Sequence, residues 1–138
     1  MPQMIFVNLP VSDLDRAKAF YEAIGFSINP QFSDDTAACV VVSETIFLMI
    51  LTHAKFDSFT PLPRADTSAS TAALIALNRD SRDAVDDLAV AALQAGGSEP
   101  RPATDLGFMY TRTVMDPDGN VFEPFWMDME AAQTAEKM

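Results

Sequence analysis

Few residues in this chain could do chemistry, and Glu123 stands first among them. It lies in the run VFEPFW, the most apolar surroundings of any acid in the sequence. A carboxylate between such neighbours is expected to titrate high, and so to act as a general base or to accept a hydrogen bond from a ligand. The alternative is an ion pair with Arg112 across a hairpin. Arg112 is the one cation inside a strand-like run, so it either holds an anionic ligand or neutralises Glu123. Tyr110 stands two residues before it and is a further candidate ligand contact. Asn8 interrupts an apolar strand and either points into a cleft or bonds to backbone. Alternation along a strand puts Phe125 on the face of Glu123, and Phe122 and Trp126 on the other. The single histidine, His53, follows an apolar run and reads as an exposed strand-end residue rather than a ligand. Cys39, in AACVVV, has no nucleophile motif around it and reads as an inert buried thiol. The glycines stand in no phosphate-binding pattern.

These residues need elements to position them. Residues 4 to 9 read as a strand. Ser12, with Asp15 three residues on, has the spacing of a helix-capping box. Leu14, Ala17, Phe20, Tyr21 and Ile24 then form one apolar helical stripe, which Gly25 stops, so the spacing predicts a helix over 13–24. A short strand is expected over 26–31, and a hairpin of 37–42 with 46–52. Residues 53–70 show no period and read as a linker whose Phe56 and Phe59 pack. The pattern then recurs roughly 68 residues further on. A strand over 72–78 is followed by a helix capped at Asp80 or Ser81, with Val85, Leu88, Ala92 and Leu93 as its stripe. Gly96-Gly97 ends it, and a short segment near 98–102 closes in prolines. Strands 108–115 and 121–127 flank Asp116-Pro117-Asp118-Gly119, where Pro sets φ and Gly accepts a positive one. The remaining aromatics, including Phe6, Phe32 and Phe47, are read as mostly core.

Composition bounds the function. The chain has 138 residues with 9 Lys+Arg against 20 Asp+Glu, a formal net charge of -11. With 49% apolar residues it can bury a core without staples. Such a balance argues against nucleic acid and against an anionic membrane surface, both of which need a basic footprint. One cysteine rules out an internal disulfide framework. No apolar run approaches the ~20 residues a membrane span requires. The expectation is a soluble, cytoplasmic protein.

The residues together support a resemblance. Val11-Ser12-Asp13-Leu14 after an opening strand, Arg16-Ala17-Lys18-Ala19-Phe20-Tyr21 ending in Ile24-Gly25-Phe26, and Asp116-Pro117-Asp118-Gly119-Asn120 followed by Glu123 resemble the vicinal-oxygen-chelate superfamily. That superfamily takes in glyoxalase I, bleomycin-resistance proteins, fosfomycin-resistance enzymes and extradiol dioxygenases; chains like this one are often called predicted lactoylglutathione lyases. The resemblance covers nearly the whole chain. It implies an α+β fold, two tandem βαβββ modules forming a curved, mostly antiparallel sheet around a cleft with helices outside. On this reading 1–138 is one glyoxalase-like domain, with module 1 over about 3–52, a linker 53–70, module 2 over about 71–128 and a tail 129–138. It also implies four converging metal-ligand positions, here Phe6, Met49 (or Ile50), Leu74 and Glu123. Only the last offers a donor that suits Zn, Ni, Mn or Fe. No metal or other cofactor is therefore expected. Phe6, Asn8, Met49, Leu74, Tyr110, Arg112 and Phe125 are candidate contacts for a small-molecule ligand, with Glu123 as the candidate catalytic group. The partners expected are that ligand and a second copy in a homodimer. Three functions follow: a metal-free binding protein of the bleomycin-resistance kind, a lyase or isomerase with Glu123 as base, or a non-catalytic interaction dimer.

Overall fold

The computed structural model describes residues 2–137, with side chains described through 133. The elements run β1 (Ile5–Val11), α1 (Leu14–Ala23), β2 (Ser27–Asn29), a 3-10 turn (Pro30–Phe32), β3 (Ala37–Val41), β4 (Ile46–Thr52), α2 (His53–Asp57), β5 (Leu74–Asn78), α3 (Arg82–Gln94), β6 (Ser98–Asp105), β7 (Met109–Met115), β8 (Val121–Met127) and α4 (Met129–Lys137). Two four-stranded sheets result, ordered β1-β4-β3-β2 and β5-β8-β7-β6. In each, the first strand pairs parallel with the fourth and the other pairings are antiparallel. The repeat seen in the sequence is thus a repeat of topology: each half is a βαβββ module with a mixed, mostly antiparallel sheet. Among the described residues no helix is long and apolar enough to cross a membrane.

Both main helices form where stripe and caps agree. In α1, Leu14, Ala17, Phe20 and Tyr21 are buried. In α3, Val85, Leu88, Ala89 and Ala92 are buried, and Ser81 Oγ accepts from the Ala84 N–H at 3.0 Å. The N-cap of α1 is Asp13, whose carboxylate accepts from the Arg16 N–H at 3.0 Å, not Ser12 as the capping-box spacing predicts. Ser12 is drawn away by a longer-range partner: its N–H and hydroxyl both donate to Asp118 Oδ1, at 2.9 and 2.6 Å.

Three further expectations need correcting. The segment 53–70 is not wholly irregular, because Thr52 caps a helical turn, α2, by accepting from the Lys55 N–H. The segment expected near 98–102 is a full strand, β6, despite Pro100 and Pro102. It is the outer strand of its sheet, pairing with β7 alone, and an edge tolerates residues that cannot donate. Phe6 and Phe32 are exposed rather than core. The tail is helical over α4; Met138, its last residue, lies outside the described residues.

One core serves both modules. Leu9, Val11, Phe20, Tyr21, Leu48 and Ile50 from the first pack with Leu88, Ala92, Val114 and Phe122 from the second. Tyr21 meets Phe122 edge to face at 5.8 Å between ring centroids. Behind that contact lies a buried polar knot. Tyr21 Oη donates to Asp116 Oδ2 at 2.7 Å, and Asn120 Nδ2 donates to the same oxygen at 2.9 Å and to the Pro10 carbonyl at 3.1 Å. Asp116 Oδ1 accepts the N–H groups of Asp118 and Asn120, both at 2.9 Å. Burial raises the Asp116 pKa, opposed by the donors from Asn120 and Tyr21. Burial, then the Asp116 charge, holds the Tyr21 phenol well above its usual range. Gly119 completes the turn at φ +89°, where any Cβ would collide with the Thr67 carbonyl.

Tyr21 stays protonated in the fold where an unfolded chain would begin to ionise. Its stabilising share is therefore whole below its ordinary pKa near 10 and is lost as the pH climbs beyond it. Tyr21→Phe should lower stability at neutral pH by about 1–3 kcal/mol, by leaving Asp116 short of a donor, and should flatten the fall above about pH 10. Urea unfolding read by circular dichroism across that range tests it; an unchanged alkaline slope refutes it.

Candidate functional site

Strand alternation gives each sheet a core face and an open face. On β1, Val7, Leu9 and Val11 turn to the core, which leaves Phe6 and Asn8 on the open side. On β4, Leu48 and Ile50 are buried in the core, so Met49 rather than Ile50 shares the open side. The parallel register sets Phe6 beside Phe47 and Asn8 beside Met49. The two phenylalanine rings stack at 4.7 Å with 13° between planes. In the second sheet Ile75, Leu77, Val114 and Phe122 mark the core face. Leu74, Glu123 and Phe125 lie on the other, with Ala76 beside Glu123 and Asn78 beside Phe125.

Glu123 is half-buried, and no group among the described residues pairs with it. The small Ala76 leaves it room. Tyr110 and Arg112 are not with it. They share the core face with Val114, turned towards α3 and β6, so the pairing of Arg112 with Glu123 across the hairpin does not occur. Instead Arg112 Nε and Nη2 donate to Glu99, each at 2.9 Å, and Nη1 donates to Asp86 at 3.1 Å. Tyr110 Oη donates to the same Asp86 oxygen at 2.6 Å. The hydrogen bond from Arg112 draws the Glu99 carboxyl below its usual range, and that from Tyr110 does so for Asp86. This cluster ties α3 to the sheet and leaves neither residue facing a ligand on the open side.

The cavities gather round β1. A small apolar one of about 150 Å3 runs from Asn8 and Leu9 to Ala73, Ile75 and Val121, between the unpaired edges of β1 and β5. A wider, open one of about 530 Å3 is bounded by Asn8, Phe56, Phe59 and Thr60. Asn8 and Phe56 line both. The side chain of Asn8 is exposed and, among the described residues, without a partner. Phe56 lies in α2, directly after β4, and Phe59 two residues beyond α2. Phe56 is half-buried, but Phe59 is 65% exposed and does not pack as the sequence leads one to expect. The place of both beside Asn8 was not legible, because the five residues of α2 are too few to show a helical period. A third, polar crevice of about 750 Å3 holds His53, together with Arg16, Arg64 and Asp118.

The residues do not fit a divalent metal. Phe6, Met49 and Leu74 supply no hard donor, and Glu123 stands alone. Among the described residues no group of three or more His, Cys, Asp and Glu side chains lies close enough to hold one. Cys39 is buried, and burial raises its pKa, which suits an inert thiol.

The fold is that of the glyoxalase/bleomycin-resistance/dioxygenase proteins. Residues 3–43, which span β1 to β3, match the family model for the bleomycin resistance protein-like N-terminal region. Among solved structures, a hypothetical protein from S. aureus superposes with a TM-score of 0.77 at 23% identity, over 91% of this chain and 94% of that one. A glyoxalase/bleomycin resistance protein/dioxygenase family enzyme from Burkholderia phytofirmans gives 0.74 at 19%, over 91% and 99%. A bleomycin-binding protein complexed with bleomycin gives 0.61 at 20%, over 92% and 100%. No match is found among the curated proteins.

Proposed function

We propose that this protein binds a small organic molecule in the groove beside β1, without a resident divalent metal. The observation that carries this reading is Asn8. It is an unpartnered amide between two cavities, flanked by Phe56 and Phe59, on an otherwise apolar strand. The walls are largely apolar, and of the two amides on them Asn120 is engaged with Pro10 and Asp116. Asn8 is the one left to meet a planar ligand that stacks on a ring and exchanges a donor and an acceptor with it. A protein of the same fold is known with bleomycin bound. A second reading is favoured by Glu123: half-buried and unpaired on the open face, it could serve as a base in a lyase or isomerase. We also infer a homodimer. Ile5, Phe6 and Leu74 are 54%, 48% and 62% exposed along the edges of β1 and β5, an apolar strip that a second copy would cover.

Elemental analysis of the protein, after incubation with Zn, Ni and Mn salts and dialysis, should find well under one metal ion per chain. A stoichiometric metal refutes the metal-free reading.

Binding can be read from the Asn8 side-chain amide by NMR, with bleomycin and a set of planar aromatic fragments as probes. Asn8→Ala should weaken binding of any hit by roughly 5- to 30-fold, the worth of one or two buried hydrogen bonds. Loss of turnover in Glu123→Gln with binding retained would favour the lyase reading; no hit touching Asn8 would defeat the binding reading.

Light scattering should give a dimer mass, and Phe6→Lys with Leu74→Lys should reduce it to a monomer. A monomeric parent protein contradicts the homodimer.

A further inference from the structure

The polar crevice lies at the far end of β1 from Phe6, where the Asp116–Gly119 turn meets α1, α2 and the 64–68 segment. Its lining is unusual for so acidic a chain. The one histidine and two of the six arginines, His53, Arg16 and Arg64, converge on a single opening. Two carboxylates, Asp66 and Asp118, stand on the same walls; Asp116 also borders the crevice, but its oxygens are taken by the knot described above.

The valences at this opening are incompletely used. Arg64 spends only Nη1, on both oxygens of Asp57, at 2.7 and 2.6 Å. Arg16 spends only Nη2, on Ser12 Oγ at 2.9 Å and Asp118 Oδ1 at 3.4 Å. His53 has no partner among the described residues. On the acidic side, Asp66 Oδ1 accepts both donors of Ser68, at 3.0 and 2.6 Å, which leaves Oδ2 open. The Asp118 side chain is only 8% exposed, and its Oδ2 is buried with no donor at all. A buried carboxylate oxygen without a donor costs free energy until one arrives.

We propose that this crevice is a binding site for a small zwitterion, a molecule carrying a carboxylate at one end and an ammonium at the other. The carboxylate meets the spare N–H groups of Arg16 and Arg64 and the His53 ring. The ammonium meets Asp66 Oδ2 and, on a small turn of its carboxylate, Asp118 Oδ2. A bare anion is disfavoured by the charge of -11, and a bare cation by the arginines; a ligand neutral overall and charged at both ends answers both constraints. The two cavities share a wall at Pro10, Arg64, Ala65, Thr67 and Gly119. Asn8 lines only the groove, and His53, Asp66 and Asp118 only the crevice, so signals read at Asn8 and at His53 report the two readings separately.

His53 is the one histidine of the 138-residue chain, so its ring gives one unambiguous NMR signal. Titration with glycine, 4-aminobutyrate and 6-aminohexanoate, each against its carboxylate-only and ammonium-only analogues, tests the proposal. At least one amino acid should shift His53 saturably, with affinity roughly tenfold above either singly charged analogue, as one added charged hydrogen bond implies. Asp66→Asn should erase the advantage over the carboxylate, and Arg64→Gln that over the amine, both with an unchanged circular dichroism spectrum. Equal affinity for all three probe types, or no saturable shift at His53, overturns it.

Discussion

The structure depends on one buried carboxylate. Asp116 sits where the β7–β8 turn enters the shared core and accepts four hydrogen bonds. Two come from its own turn and fix the turn's shape. One comes from Tyr21 on the helix of the other module. The fourth comes from Asn120, which also reaches the backbone of β1 at Pro10. A single side chain thus sets the turn, the helix and the opening strand relative to one another. Remove any donor and a buried charge is left under-bonded, which is costlier than the loss of an exposed ion pair. The small apolar cavity and the polar crevice both border this junction, at Pro10 and Gly119.

Strand alternation decides which polar residues can act. Arg112 and Glu123 lie on neighbouring strands, and either could have served the other. The side of the sheet separates them. Arg112, on the same face as the buried Val114, is held by Asp86 of α3 and Glu99 of β6 in a part-buried cluster. Glu123 is left on the opposite face, with no cation paired to it among the described residues. Its environment is therefore defined by neighbours such as Ala76 and Phe125, not by an ion pair.

Much of this was legible in the sequence, for physical reasons that can be named. Helices α1 and α3 announce themselves because stripe, cap and terminal glycine agree, and agreement between independent signals resists tertiary override. The Asp-Pro-Asp-Gly turn is legible because Pro and Gly each exclude most alternatives. The choice of Asp13 over Ser12 as cap was not legible, since it is decided by Asp118, more than a hundred positions away. The same distance hides the crevice. Arg16, His53, Arg64 and Asp118 share no local pattern and meet only once both modules are docked. Strand β6 was foreshortened because its prolines read as breakers, a reading that fails at a sheet edge. The partner of Arg112 needed the identity of the facing helix, which no spacing within the hairpin contains.

The metal site that the superfamily resemblance implies and the residues at the open face point in different directions, and the residues carry more weight. A chelate needs several hard donors converging at about 2 Å from one point. Phe6 and Phe47 instead stack on each other, Met49 offers a soft thioether, and Leu74 is an exposed hydrocarbon. Such a surface gains free energy by shedding water, not by gathering charge. It suits apolar contact, with a second copy of the chain or with an aromatic ligand, and it leaves recognition to the rare polar group placed within it. On β1 that group is Asn8, which can donate and accept at once and pays a smaller desolvation cost than a carboxylate would. On the binding reading proposed above, hydrocarbon at these positions has the cleft select its ligand by shape and by the amide of Asn8 rather than by chelation.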